Sequence, residues 1–259
     1  MYLNKHQMRT IPVVLGGGFL GQMLRIVLYL TGFDHKGFLP ASHPLHLACL
    51  ALAAGMLAYL GICTLKAEVN TEDQPQLRLP LGLAAGFFLL IHGLSLYPQA
   101  ASAITGIRKF PGFLPLIQFV LTAAAAIAMA VCALYAHRHR STVAACHGIV
   151  CAAFGADMLS RYRVWSGNPQ LPDYVFHVLA GAALSLCAYQ TLALYTGLEK
   201  RKLQQFFCLS SLFLCVLCLS GPEPRAFYLG GALWSAACLV TAPPPEEEAI
   251  QEENSDVSA

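Results

Sequence analysis

Residues 113–136 read FLPLIQFVLTAAAAIAMAVCALYA, a predominantly apolar stretch without one charged side chain. An α-helix rises about 1.5 Å per residue, so about 20 apolar residues are needed to cross the hydrocarbon layer of a bilayer, which is roughly 30 Å thick. This stretch is long enough, and its run of alanines favours a helix. The sequence therefore predicts a transmembrane helix at this position.

Comparable stretches recur along almost the whole chain. Its 259 residues are 56% apolar and 12% charged, whereas a soluble domain carries about 25% charged residues. This composition excludes most soluble enzyme classes and any ordinary nucleic-acid-binding module. We predict an all-α polytopic transmembrane bundle of about eight spans, with seven spans and a re-entrant or interfacial fifth as the second choice. The predicted spans are 11–32, 44–65, 79–98, 113–136, 143–163, 173–196, 203–220 and 226–242.

The charged residues divide the chain and orient it. Six of the fourteen acidic residues fall in residues 243–259, which we expect to be a disordered, acidic, cytoplasmic tail after a bundle formed by residues 1–242. With the N-terminus inside, nine lysines and arginines lie in cytoplasmic segments and six lie in outer ones. The positive-inside rule therefore predicts that both termini are cytoplasmic.

Sequence motifs for catalysis and cofactor binding are missing. There is no P-loop, no dinucleotide-binding fingerprint and no GxSxG elbow. The ten cysteines all lie in apolar runs, where a free thiol behaves as a small hydrophobic group. We expect no cofactor and no metal, and we favour a non-enzymatic role.

Ionisable side chains within the predicted spans are the candidate functional residues, because each costs several kcal/mol in a bilayer unless it is paired. Counting about 1.5 Å per residue predicts that ionisable side chains from five different spans lie at a similar depth, in the outer half of the bundle. Asp157 is the only acid well inside a span, and it is the natural counter-charge for either Arg25 or Arg161. The predicted ligand-binding residues are Arg25, His46, His92, Asp157, Arg161 and His177.

Two interpretations of this polar layer remain open. In one, it lines an outward-facing cavity that binds or transports a small solute or a lipid. In the other, the arginines reach the membrane surface while a buried ion pair fixes how the helices pack. The protein would then be a membrane-embedded sensor or assembly partner, acting through its cytoplasmic loops and tail. A weaker alternative is an intramembrane enzyme or a haem protein that uses His92 and His177. The expected partners are the lipid bilayer and a small solute or lipid, and not nucleic acid.

The most distinctive loop reads RYRVWSGNPQLPDY over residues 161–174. Aromatic and basic side chains of this kind lie at membrane surfaces, so we predict an interface loop. Its predicted interface residues are Tyr162, Trp165, Asp173 and Tyr174. Together with GFDHKGFLP at 32–40 and HPL at 43–45, this loop resembles a family of bacterial multi-pass inner-membrane proteins over about half of the chain. The resemblance implies a bacterial inner-membrane location and no particular activity.

Overall fold

The computed structural model describes most of the membrane-embedded chain. The described residues are 5–32, 40, 43–67, 74–75, 79–104, 113–135, 140–165, 171–197, 201–220, 224–239 and 241–242. They form eight α-helices: α1 (Lys5–Thr31), α2 (Pro44–Lys66), α3 (Leu79–Ile104), α4 (Leu114–Tyr135), α5 (Arg140–Trp165), α6 (Leu171–Tyr195), α7 (Arg201–Cys218) and α8 (Arg225–Leu239). The prediction of an all-α helical bundle is confirmed. The predicted tail, 243–259, lies outside the described residues.

Seven helices of the described chain, α1 to α7, are long and apolar enough to cross a membrane. The fifth is among them, with a candidate span at Arg140–Arg163, so its length and composition suffice to cross a membrane. The short helix is instead α8, whose 15 residues extend about 22 Å at the usual rise. It ends at Leu239, before the predicted limit of residue 242. A cause is visible in the sequence, because proline at position 243 disfavours a helical residue before it.

Two short strands form an antiparallel pair, and one of them follows α8. The two-residue strand β1 (Gln74–Pro75) pairs with β2 (Thr241–Ala242), and Gln74 lies opposite Ala242. This pairing ties the segment between α2 and α3 to the segment that follows α8.

Helices α7 and α8 lie at the centre of the bundle. Helix α7 packs against α1, α2, α6 and α8, while α8 also packs against α3. The helices from α3 to α6 pack in chain order, each against the next, and α1 and α2 pack together against α7. The span of α7 is 78% buried, whereas those of α1 and α2 are each 28% buried. Most residues of the first two spans are therefore left unburied by the described chain.

A missing side chain permits a close approach between α3 and α4. A Cβ atom added at Gly86 of α3 would lie 2.9 Å from the backbone oxygen of Ala126 in α4. Small residues on both helices permit this contact, as they commonly do between transmembrane helices. In the described residues none of the ten cysteines forms a disulfide, and eight of them are buried.

Candidate functional site

The carboxylate of Asp157 lies at the centre of a cluster formed by α3, α4 and α5. Its Oδ1 atom accepts hydrogen bonds from His92 Nε2 at 3.0 Å and from Gln118 Nε2 at 2.6 Å. Its Oδ2 atom accepts a hydrogen bond from Nε of Arg161, one turn further along α5. Asp157 is 1% exposed, so these three donors replace the water that the carboxylate lost on burial. One carboxylate thereby holds three helices together.

The guanidinium group of Arg25 joins α1 to α6 and α7. Its Nη2 atom lies 3.1 Å from His177 Nε2 and donates a hydrogen bond to the Tyr29 hydroxyl at 2.6 Å. Its Nη1 atom lies 3.5 Å from the carbonyl oxygen of Leu217. The group also lies over the ring of Phe176, 5.1 Å from the ring centroid, which is the geometry of a cation–π contact. This arginine is wholly buried, although it lies only six residues before the end of α1 at Thr31.

The contacts of the two histidines define their protonation. An arginine can only donate hydrogen bonds, so Nε2 of His177 accepts from Arg25 and carries no proton. The proton of this neutral imidazole therefore lies on Nδ1, which donates to the Tyr228 hydroxyl at 2.6 Å. In contrast, His92 directs Nε2 at a carboxylate and must donate from that atom. One histidine thus presents a lone pair to a cation, and the other presents a proton to an anion.

Arg161 connects the two clusters. Its Cζ atom lies 5.0 Å from the ring centroid of Phe227 and 5.9 Å from that of Tyr228, both on α8. The ring of His92 also packs edge-on against Phe227 at 5.1 Å. Contacts therefore run without interruption across six helices. We refer to this set as the buried network: Arg25, His92, Gln118, Asp157, Arg161, His177 and Tyr228.

Five of the six predicted ligand-binding residues belong to the buried network. The sixth, His46 of α2, lies at its edge, where its buried ring packs against Phe176 at 6.0 Å. Of the two counter-charges considered for Asp157, the structure pairs it with Arg161. Arg25 contacts His177 instead.

Sequence reasoning missed the uncharged members of the network, Gln118 and Tyr228. The sequence-based prediction considered charged residues and histidines and therefore omitted both. Gln118 nevertheless stands out as the one amide side chain in α4. A polar side chain isolated in an apolar span is itself a signal, because it needs a hydrogen-bonding partner when buried.

The predicted interface loop is described only in part. Tyr162 is 52% exposed, as a surface aromatic residue should be. The ring of Tyr174 instead packs near His177, 6.3 Å away, so this residue extends toward the buried network. The side chains of Trp165 and Asp173, and residues 166–170, lie outside the described part of the chain.

The geometry does not favour a bis-histidine haem. His177 uses both ring nitrogens in contacts with Arg25 and Tyr228, and His92 directs its Nε2 at Asp157. Within the described ranges, no three histidine, cysteine or acidic side chains come together as a metal site would require.

The helices and the buried network define a multi-pass integral membrane protein with an ionisable network inside its bundle. Comparisons with protein-family models, with curated proteins and with solved structures find no match for this chain.

Proposed function

We propose that the protein binds a small anionic group in the buried network and moves it through the bundle, without catalysis. The group is the carboxylate or phosphate of a solute or of a lipid headgroup. The observation that carries this proposal is that two guanidinium groups, the buried Arg25 and the largely buried Arg161, belong to one set of side chains connected by hydrogen bonds and ring contacts. Guanidinium groups bind carboxylates and phosphates through paired hydrogen bonds. Buried ionisable groups of this kind mark ligand and ion pathways in membrane proteins.

Asp157 suggests how binding is coupled to protons. In the described state its carboxylate fills the anion position beside Arg161, His92 and Gln118. A proton on Asp157 removes its charge and allows Arg161 to bind an incoming anion instead. The anion and the proton then enter together, and the net charge of the buried network stays the same. This balance matters because uncompensated charge is costly in a bilayer.

The location of the protein belongs to the same proposal. The distribution of lysine and arginine supports cytoplasmic termini, which would direct the half of the bundle that holds Arg25 and Asp157 outward. The resemblance of its loops supports the inner membrane of a bacterium.

A thermal-shift screen of the purified protein tests the proposal. The probes are short-chain carboxylates, dicarboxylates, inorganic phosphate and short-chain phosphatidylglycerol, each compared with chloride at equal ionic strength. A ligand at 100 times its Kd stabilises the native state by about 2.7 kcal/mol. We expect at least one probe to raise Tm by several degrees. A shift with a free carboxylate or phosphate indicates a solute as the ligand, whereas a shift with phosphatidylglycerol alone indicates a lipid headgroup.

The controls are matched substitutions on α5. Arg161→Gln should abolish the shift, whereas Arg163→Gln, the same change at an exposed position two residues on, should retain it. Arg161→Lys keeps the charge but loses the planar fork, so it should fold and bind more weakly. No shift with any probe, or an equal shift in Arg161→Gln, would overturn the proposal.

The near-complete burial of the buried network favours a second candidate. Arg25, His92 and Asp157 are each at most 1% exposed, as packing residues are. In this alternative the network only holds the bundle together, and the protein is a sensor or assembly partner acting through its cytoplasmic segments. No anion would then stabilise it, and deletion of residues 243–259 would release a copurifying partner protein.

A further inference from the structure

A second pair of buried polar side chains lies outside the buried network. His147 of α5 is 1% exposed and Trp234 of α8 is 0% exposed. Their ring centroids are 5.7 Å apart. Among the described groups, neither nitrogen of His147 has a hydrogen-bonding partner, and neither has Nε1 of Trp234. Three nitrogen atoms in two adjacent rings are therefore buried without a partner in the described chain.

Buried polar atoms in native proteins are almost always satisfied by protein groups or by a bound molecule. A neutral histidine has one donor and one acceptor, and an indole has one donor. A guest that satisfies both rings must accept a hydrogen bond from Trp234 and also donate or accept one at His147. An uncharged oxygen with an attached hydrogen can bond to either nitrogen of a neutral His147, and it avoids the cost of burying an anion between two uncharged rings. Water and the neutral form of a carboxylic acid both meet this description.

Aromatic side chains separate this pair from the buried network. Phe154 packs against Trp234 at 5.6 Å and against Phe227 at 5.7 Å, and Phe227 in turn contacts His92. Both phenylalanines are at most 2% exposed. Along α5, His147 lies ten residues before Asp157, which corresponds to about 15 Å. The two polar regions thus lie at different depths with an apolar partition between them.

We propose that His147 and Trp234 form a second binding site, for a small neutral molecule whose oxygen both donates and accepts hydrogen bonds. Its occupants are water and the protonated form of a carboxylic acid. The existence of this site does not depend on the proposed function. Its role does: an anion that takes the proton from Asp157 becomes a neutral acid, which is the form that the second site accepts, and the carboxylate of Asp157 is then free to pair with Arg161 again.

Solid-state NMR of the full chain in lipid vesicles tests the site with water and acetic acid as probes. The chain has two tryptophans, so Trp165→Phe leaves the indole of Trp234 as a single labelled reporter. We expect magnetisation to pass from water to the indole N–H faster than to the backbone amides of the buried helix α7. Acetic acid at pH 5, but not acetate at pH 8, should displace this water signal.

His147→Phe is the decisive variant, because it keeps the ring that stacks on Tyr195 at 5.5 Å and removes both nitrogens. It should reduce water transfer to Trp234 to the level of the α7 amides, while His43→Phe at the start of α2 should not. Two results would overturn the proposal. One is water transfer to the wild-type Trp234 indole no faster than to the α7 amides, together with no effect of acetic acid on its resonance. The other is an unchanged water-transfer signal in His147→Phe. Water transfer without displacement by acetic acid would establish water as the occupant and refute the acid.

The experiments distinguish failure of the proposed function from failure of the second site. If no anion shifts Tm but water reaches Trp234, the proposed function is wrong and the second site stands. If an anion binds through Arg161 but Trp234 is dry, the opposite holds.

Discussion

Replacing Asp157 with asparagine is the sharpest perturbation of the buried network. The amide oxygen that Asp157→Asn introduces can still accept the two hydrogen bonds that His92 and Gln118 donate to Oδ1. The new amide NH₂ group then faces Nε of Arg161, which in the wild type donates to Oδ2. Two donors oppose each other, and the guanidinium group loses its carboxylate. The main loss is therefore the ion pair within α5.

The magnitude follows from the burial of this pair. Removing one partner of a buried ion pair costs about 3–5 kcal/mol, and penetration of water from the membrane surface lowers this cost. Arg161 retains 10% side-chain exposure, so we expect the lower end of the range, about 3 kcal/mol. For chains of this size, 1 kcal/mol corresponds to about 2–4 °C in Tm, so Asp157→Asn should melt about 6–12 °C below the wild type.

Four melting curves measure the effect in one detergent: the wild type, Asp157→Asn, Arg161→Gln and the double variant. The double variant should recover part of the loss, because the cation that lost its counter-charge is gone. Equal melting of Asp157→Asn and the wild type would refute the buried pair. A double variant as unstable as the sum of the two single variants would show that the residues do not interact.

Further substitutions separate packing from hydrogen bonding. Gly86→Ala should lower stability by about 1–3 kcal/mol, because the new methyl group meets the backbone of Ala126, whereas Gly155→Ala, with open space around its added Cβ, should be neutral or stabilising. A melting comparison of the two variants checks this, and equal effects would contradict the close approach. Tyr228→Phe should cost about 1–2 kcal/mol by removing the acceptor of the His177 N–H bond. In its ¹⁵N spectrum the Nδ1 resonance of His177 should shift, and an unchanged resonance would contradict the assigned tautomer.

The helices were predictable because an apolar run of about 20 residues has few alternatives in a membrane protein. The seven long helices lie where the sequence places them, apart from their ends. The largest differences are six residues: α1 begins at Lys5 instead of residue 11, and α3 continues through Pro98 to Ile104 instead of ending at residue 98. The eighth helix differs because it ends at Leu239, earlier than predicted, and is then too short to count as a candidate span. The apolar run alone does not mark this end. We attribute it to the proline at position 243 and to the pairing of Thr241–Ala242 with Gln74–Pro75.

The clustering of the ionisable side chains was predictable, but their individual partners were not. The rise per residue gives the distance of Arg25 from the end of α1. It does not give the rotation of the helix, since α1 is apolar around most of its circumference. The contacts of Arg25 with His177 and Leu217 therefore needed the structure. For Asp157 the sequence did hold the answer, because Arg161 lies four residues on and shares its helix face.

Flux into proteoliposomes tests most directly whether the buried network carries an anion together with a proton. Vesicles are loaded with a pH-sensitive dye and diluted into acidic medium that contains the radiolabelled anion giving the largest thermal shift. Wild-type vesicles should take up the anion and become acidic inside, and Arg161→Gln vesicles should do neither. In Asp157→Asn vesicles, anion uptake should no longer be accompanied by acidification. Uptake no greater than in protein-free vesicles, or equal uptake by Arg161→Gln, would contradict transport through the buried network.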